Sequence, residues 1–87
     1  MAWNKGMLDL ISDPRQEFAD KTGDVLTGIN LRPTVTGWQM IVKKVNIKTR
    51  SKEVAFLDSW SVQELFELLY DSLTVAPDTL VWKVDKF

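Results

Sequence analysis

The chain has 87 residues, 45% of them hydrophobic and 26% charged, with a formal net charge of −1. That length suits one domain, residues 1–87, with a small core and modest stability, and the balance of apolar and charged residues excludes the disordered class. Cysteine and histidine are both absent, which excludes disulfide frameworks, thiolate zinc sites and a histidine general base, and suits a cytoplasmic location.

In chain order, Trp3, Met7, Leu10 and Ile11 fall near one helical face and predict a short first helix, weakened by Gly6. Its apolar run is too short, and too soon broken by Asp9, for a secretory signal. No run anywhere reaches the roughly 18–20 residues of a membrane span, and no Asn-x-Ser/Thr acceptor occurs. Asp13 suits an N-cap and Pro14 the first helical position, and Gly23 suits the residue after the last turn, so a second helix is expected over 14–22.

Val25, Leu26, Ile29 and Leu31 predict an irregular strand in which Gly28 marks a bulge. Pro33 ends that strand or holds it at a sheet edge. Residues 38–48 form the clearest strand, rich in β-branched side chains. Ile41, Val45 and Ile47 point to one side, and Trp38, Met40, Val42, Lys44, Asn46 and Lys48 to the other. The first half is therefore apolar on both faces, and only the second half has a wet one.

A four-residue turn over Thr49–Lys52 would return the chain along residues 53–57. Placing Lys48 opposite Glu53 brings Ile47 to Val54, Val45 to Phe56 and Lys43 to Asp58, so two ion pairs and two apolar pairs agree on an antiparallel hairpin.

Ser61-x-x-Glu64 is a capping box, and Trp60 and Leu65 have the spacing of a hydrophobic staple. Behind that start, Val62, Leu65, Phe66, Leu69 and Leu73 form an apolar helical stripe flanked by Leu68 and Tyr70. Pro77 stops the helix, and a last strand carries Leu80, Trp82 and Val84 on one side. The fold class is α+β: a small antiparallel sheet of three or four strands around a central hairpin, with the C-terminal amphipathic helix on one face and short helices at the N-terminus. The helix is expected on the face of Ile41, Val45, Ile47, Val54 and Phe56. The Trp38, Met40 and Val42 face is then left to the N-terminal segment, through Met7, Leu10, Ile11 and Phe18, or to a partner.

Thr22-Gly23, Gly28 and Gly37-Trp38 ahead of a strand resemble the gas-vesicle accessory protein O family over residues 22–38. The capped helix that follows the hairpin departs from that family's pattern, so the likeness assigns neither fold nor function.

No phosphate-binding glycine loop and no G-x-S-x-G nucleophile motif is present. Glu64, Glu67 and Asp71 share a helical face and could hold Mg²⁺ or act as acid and base, but that face is the polar, outward one. No enzyme activity, metal or cofactor is expected. Residues 25–52 hold six bases and no acid, and residues 53–82 hold six acids and no base. Within the basic half, Lys43, Lys44, Lys48, Arg50 and Lys52 form a hairpin able to meet phosphates, though without interleaved aromatics and in a chain of pI about 5.3.

The function expected is a small protein–protein interaction or adaptor module. Its apolar face would hold Trp38, Met40, Val42 and Trp82, and its partner would be another protein or a second copy. Nucleic-acid binding through Lys44, Lys48, Arg50 and Lys52 is the alternative. The opposite charges of hairpin tip and helix would favour a head-to-tail or antiparallel self-contact.

Overall fold

A computed structural model describes residue 8, residues 10–75 and residues 79–85. Helix α1 spans Ser12–Thr22, strand β1 Asp24–Thr34, β2 Gly37–Asn46, β3 Lys52–Ser59, helix α2 Val62–Thr74 and strand β4 Lys83–Val84. The four strands form one antiparallel sheet in the order β1-β2-β3-β4. Trp3, Met7 and Pro77 lie outside the described residues, and with them most of the expected first helix and the stop after α2.

Helix α1 begins earlier than its capping signals suggest. Ile11 occupies the N-cap position with no side-chain cap, and Asp13 lies inside the first turn, where a carboxylate still favours the positive end of the helix. Its end follows the expectation. Gly23 takes φ +76°, and its N–H bonds to the Ala19 carbonyl, a conformation that costs other residues the clash of a Cβ.

Strand β1 is an edge strand with a register shift between Leu26 and Gly28. The bulge puts Leu26, Ile29 and Leu31 on one face despite their uneven spacing. Pro33 sits near the end of this edge, where its missing N–H breaks no ladder. Val35 and Thr36 turn the chain into β2. Gly37 is required there: a Cβ would stand 2.5 Å from both the Ser59 carbonyl oxygen and the Trp60 Cα.

The hairpin of β2 and β3 forms with a different register from the one expected. Val45 faces Lys52, Lys44 faces Glu53, Lys43 faces Val54 and Ile41 faces Phe56. The loop is Ile47–Ser51, one residue longer than a Thr49–Lys52 turn. Asn46 is the reason. Its Oδ1 accepts the N–H groups of Lys48 and Thr49 at 3.0 and 2.9 Å, and its carbonyl accepts from Arg50 at 2.8 Å. An asparagine that bonds its own following backbone starts a turn where it stands, so the strand ends at Asn46. The displacement is even-numbered, so the expected side of every side chain is kept.

The covered side is the reverse of the expected one. Met40 and Val42 are 0% exposed, and with Leu26, Ile29, Leu31 and Ala55 they form the sheet's contribution to the core. Helix α2 supplies Leu65, Leu69 and Leu73 to the same core and α1 supplies Phe18, while Trp38, Leu57, Val62, Phe66 and Trp82 pack at its margin. The decisive residues are on the neighbours of β2. The bulge aligns three large side chains of β1 with Met40 and Val42, whereas the opposite side of β1 offers Val25, Gly28, Asn30 and Arg32.

At the start of α2, Ser61 Oγ accepts the Glu64 N–H at 3.1 Å. The Ser61 N–H turns to Ser59 Oγ at 3.4 Å, and Trp60 stays 75% exposed, so the staple is not closed. The last strand is shorter than expected: Lys83 and Val84 alone pair with β3, and Val84 is exposed while Leu80 is buried. No described helix is long and apolar enough to cross a membrane.

Candidate functional site

The sheet has a second side, and among the described residues no helix packs over it. Cross-strand pairing sets Val25 beside Val45, and Asn30 beside Ile41 and Phe56. Between those rows, Lys43 stands beside Val54, which in turn faces Lys83. Val25, Ile41, Val45 and Val54 are half-buried, and Phe56 is 45% exposed. The apolar patch thus crosses three strands. Lys43 stands within it and Arg32, Lys52 and Lys83 border it, with Asp58 and Asp85 the acids on the same side. Lys43 Nζ lies 3.5 Å from Asp85 Oδ2.

This side is not the one that the residue pattern marks as the partner face. Met40 and Val42 are enclosed by the helices, and Trp38 and Trp82 pack against the core, so none of the four lies on the open patch. Trp82 has a different neighbour: the Lys44 ammonium lies 4.4 Å from its ring centroid and 5.7 Å from that of Phe18.

Lys44 leaves the basic hairpin altogether. It is buried on the core side, with Nζ 2.7 Å from Asp24 Oδ2 and 3.8 Å from Glu53 Oε1. The clue in the residue pattern is parity: Lys44 continues the alternation of Trp38, Met40 and Val42, so a buried acid had to meet it. The remaining bases of the tip, Lys48, Arg50 and Lys52, are exposed, and no salt bridge found among the described residues involves them. Ile47, beside them, is 64% exposed. Backbone bonds fix this tip: Asn46 N–H to the Ser51 carbonyl at 3.0 Å and Ile47 N–H to the Gly23 carbonyl at 3.3 Å. Arg50 sits at φ +61°.

On the helical layer, a groove of about 660 Å³ runs between Leu10 and Ile11 on one side and Phe66 and Tyr70 of α2 on the other. Gln63, Glu67 and Asp71 border it. Glu67 and Asp71 are both exposed, and among the described residues no group of three acids stands close enough to hold a metal ion.

No protein-family model matches the chain, and no curated protein or solved structure compared with it is similar to it. The likeness carried by Thr22, Gly23, Gly28, Gly37 and Trp38 finds no counterpart among those family models.

Proposed function

We propose that the chain is a small, non-catalytic protein–protein interaction module of the cytoplasm, and that it docks a partner protein on the open side of its sheet. The observation that carries this reading is the patch of Val25, Ile41, Val45, Val54 and Phe56, which crosses three strands with no described helix over it. A solvated antiparallel face is normally polar, and a contiguous apolar one bordered by polar groups is typical of an interaction surface. The border bases outnumber the acids on this side, which favours a partner whose own rim is acidic.

The amphipathic helix α2 supports the reading indirectly. By supplying Leu65, Leu69 and Leu73 to the other side, it stabilises the sheet without occupying the patch. The long edge strand β1 is a poorer docking site for an added strand, because its bulge, Arg32 and Pro33 interrupt the pairing edge.

The test is affinity capture with three forms of the chain: native, Phe56→Glu, and Lys48→Glu/Arg50→Glu. A partner retained by the native and tip-reversed forms and lost by Phe56→Glu supports the sheet face. Partners indifferent to Phe56→Glu would count against it.

Nucleic-acid binding remains as a second reading, favoured by the exposed Lys48, Arg50 and Lys52. It loses Lys44 to Asp24. Oligonucleotide affinity that is independent of sequence and falls steeply with salt would establish it.

A further inference from the structure

We infer that the hairpin tip is a plug for the helical groove of a second copy of the chain, giving a head-to-tail contact separate from the sheet face proposed above. The tip presents an exposed apolar side chain, Ile47, which borders α1 at Arg15, Gln16, Ala19 and Asp20 and is followed along the loop by the exposed bases Lys48, Arg50 and Lys52. The groove presents the inverse: an apolar lining of Leu10, Ile11, Phe66 and Tyr70 bordered by Glu67 and Asp71. An apolar side chain followed by exposed bases and an apolar cleft with an acidic rim are complementary in charge.

Two features make the fit specific to a second copy. The tip closes the sheet layer between β2 and β3, and the groove lies on the helical layer along α2, so a chain cannot fill its own groove without unfolding the hairpin. The tip is also ordered before it meets anything. Asn46 holds the Lys48 and Thr49 N–H groups, Arg50 N–H bonds the Asn46 carbonyl, and the Thr49 and Ser51 hydroxyls lie 2.7 Å apart. A preordered loop loses little conformational freedom on docking.

The contact joins two different patches, so it is heterologous. It leaves a free tip at one end of every pair and a free groove at the other, and it grows unless a ring closes.

The experiment is sedimentation velocity on the full chain over a concentration series, with three variants whose folding is checked by circular dichroism. Ile47→Asp spoils the tip, Glu67→Lys/Asp71→Lys spoils the groove rim, and Phe56→Glu spoils the open sheet face. The native chain is expected to form species larger than a dimer at high concentration. This association should weaken about tenfold between ~0.05 M and ~0.5 M salt. Ile47→Asp and Glu67→Lys/Asp71→Lys are each expected to be monomeric alone. An equal mixture of the two should give a one-to-one dimer and nothing larger, because each retains only one competent half. A native chain that stays monomeric throughout, or a mixture that forms no dimer, overturns the inference. Association lost in Phe56→Glu but kept in Ile47→Asp also overturns it and assigns self-contact to the sheet face instead, so the two proposals fail separately.

Discussion

Lys44 Nζ stands 2.7 Å from Asp24 Oδ2, an ion pair linking the inner strand β2 to the first residue of the edge strand β1 inside the core. Asp24 is answered twice, since its Oδ1 also accepts from Asn46 Nδ2 at 2.9 Å. Removing Asp24 leaves the buried Lys44 ammonium with only Glu53, at 3.8 Å, to offset its charge, and Asp24→Leu should therefore cost up to about 3–5 kcal/mol. The double variant Asp24→Leu/Lys44→Met should recover most of that loss. A urea double-mutant cycle measures both, and additive losses would mean that the pair is not coupled.

Gly37 and Gly23 should respond differently to alanine. At Gly37 a Cβ meets two backbone atoms that cannot swing aside, at φ +155°. Gly37→Ala should cost at least about 1–3 kcal/mol through forced displacement of the start of α2. At Gly23 nothing lies within 4 Å and only the left-handed backbone opposes the change, so about 1–2 kcal/mol is expected. Denaturation midpoints rank the two, and chymotrypsin cleavage around Phe56–Trp60 should accelerate in Gly37→Ala alone.

In α2, Ser61→Ala removes the hydroxyl that accepts the Glu64 N–H and should cost about 1 kcal/mol. Leu69→Ala empties a fully buried position and should cost about 2–5 kcal/mol. Thermal unfolding of both variants checks the order, and a larger loss for Ser61→Ala would contradict the packing described.

Asn46→Ala removes the acceptor for two tip N–H groups and the donor to Asp24. A loss of about 1–2 kcal/mol is expected, with faster amide exchange at Lys48 and Thr49 as its signature. Protection unchanged at those two amides would show that other contacts hold the tip.

The sheet's two sides can be told apart by cutting one residue on each. Met40→Ala should cost about 2–5 kcal/mol, as for any fully enclosed methionine. Phe56→Ser should cost markedly less, because nearly half of that residue already faces water. The comparison needs only chemical denaturation of the two proteins, and a reversal of their order would return the helices to the Phe56 side.

Much of this architecture was legible from residues alone. The capped start of α2, the Gly23 stop, the bulge near Gly28 and the edge position of Pro33 are each written in one or two local side chains. Alternation in β2 also divides its residues correctly between the two sides. Alternation does not say which side is roofed. That depended on how β1 aligns its large side chains after the bulge, and on Asp24 making the core tolerable for Lys44. Charge pairing was misleading for the hairpin: Lys48–Glu53 and Lys43–Asp58 made an attractive register, yet Asn46 turned the chain first. The open patch was missed because Ile41, Val45, Val54 and Phe56 look like core residues. The tip's bases were legible as candidates, but the cleft that complements them requires α2 and Leu10 to be brought together in space.

The bulge in β1 has a consequence for how the chain can vary in length. Leu26 pairs with Lys44 and Gly28 with Lys43, so Thr27 is a residue with no opposite number. Deleting Thr27 would close the ladder and leave every other side chain of β1 on its present side. Deleting a residue from the paired run between Ile29 and Leu31 would instead invert one flank relative to the other, exchanging buried and exposed positions at a stroke. The sheet therefore holds a place where the gene can lose a codon and the protein keeps its inside and outside.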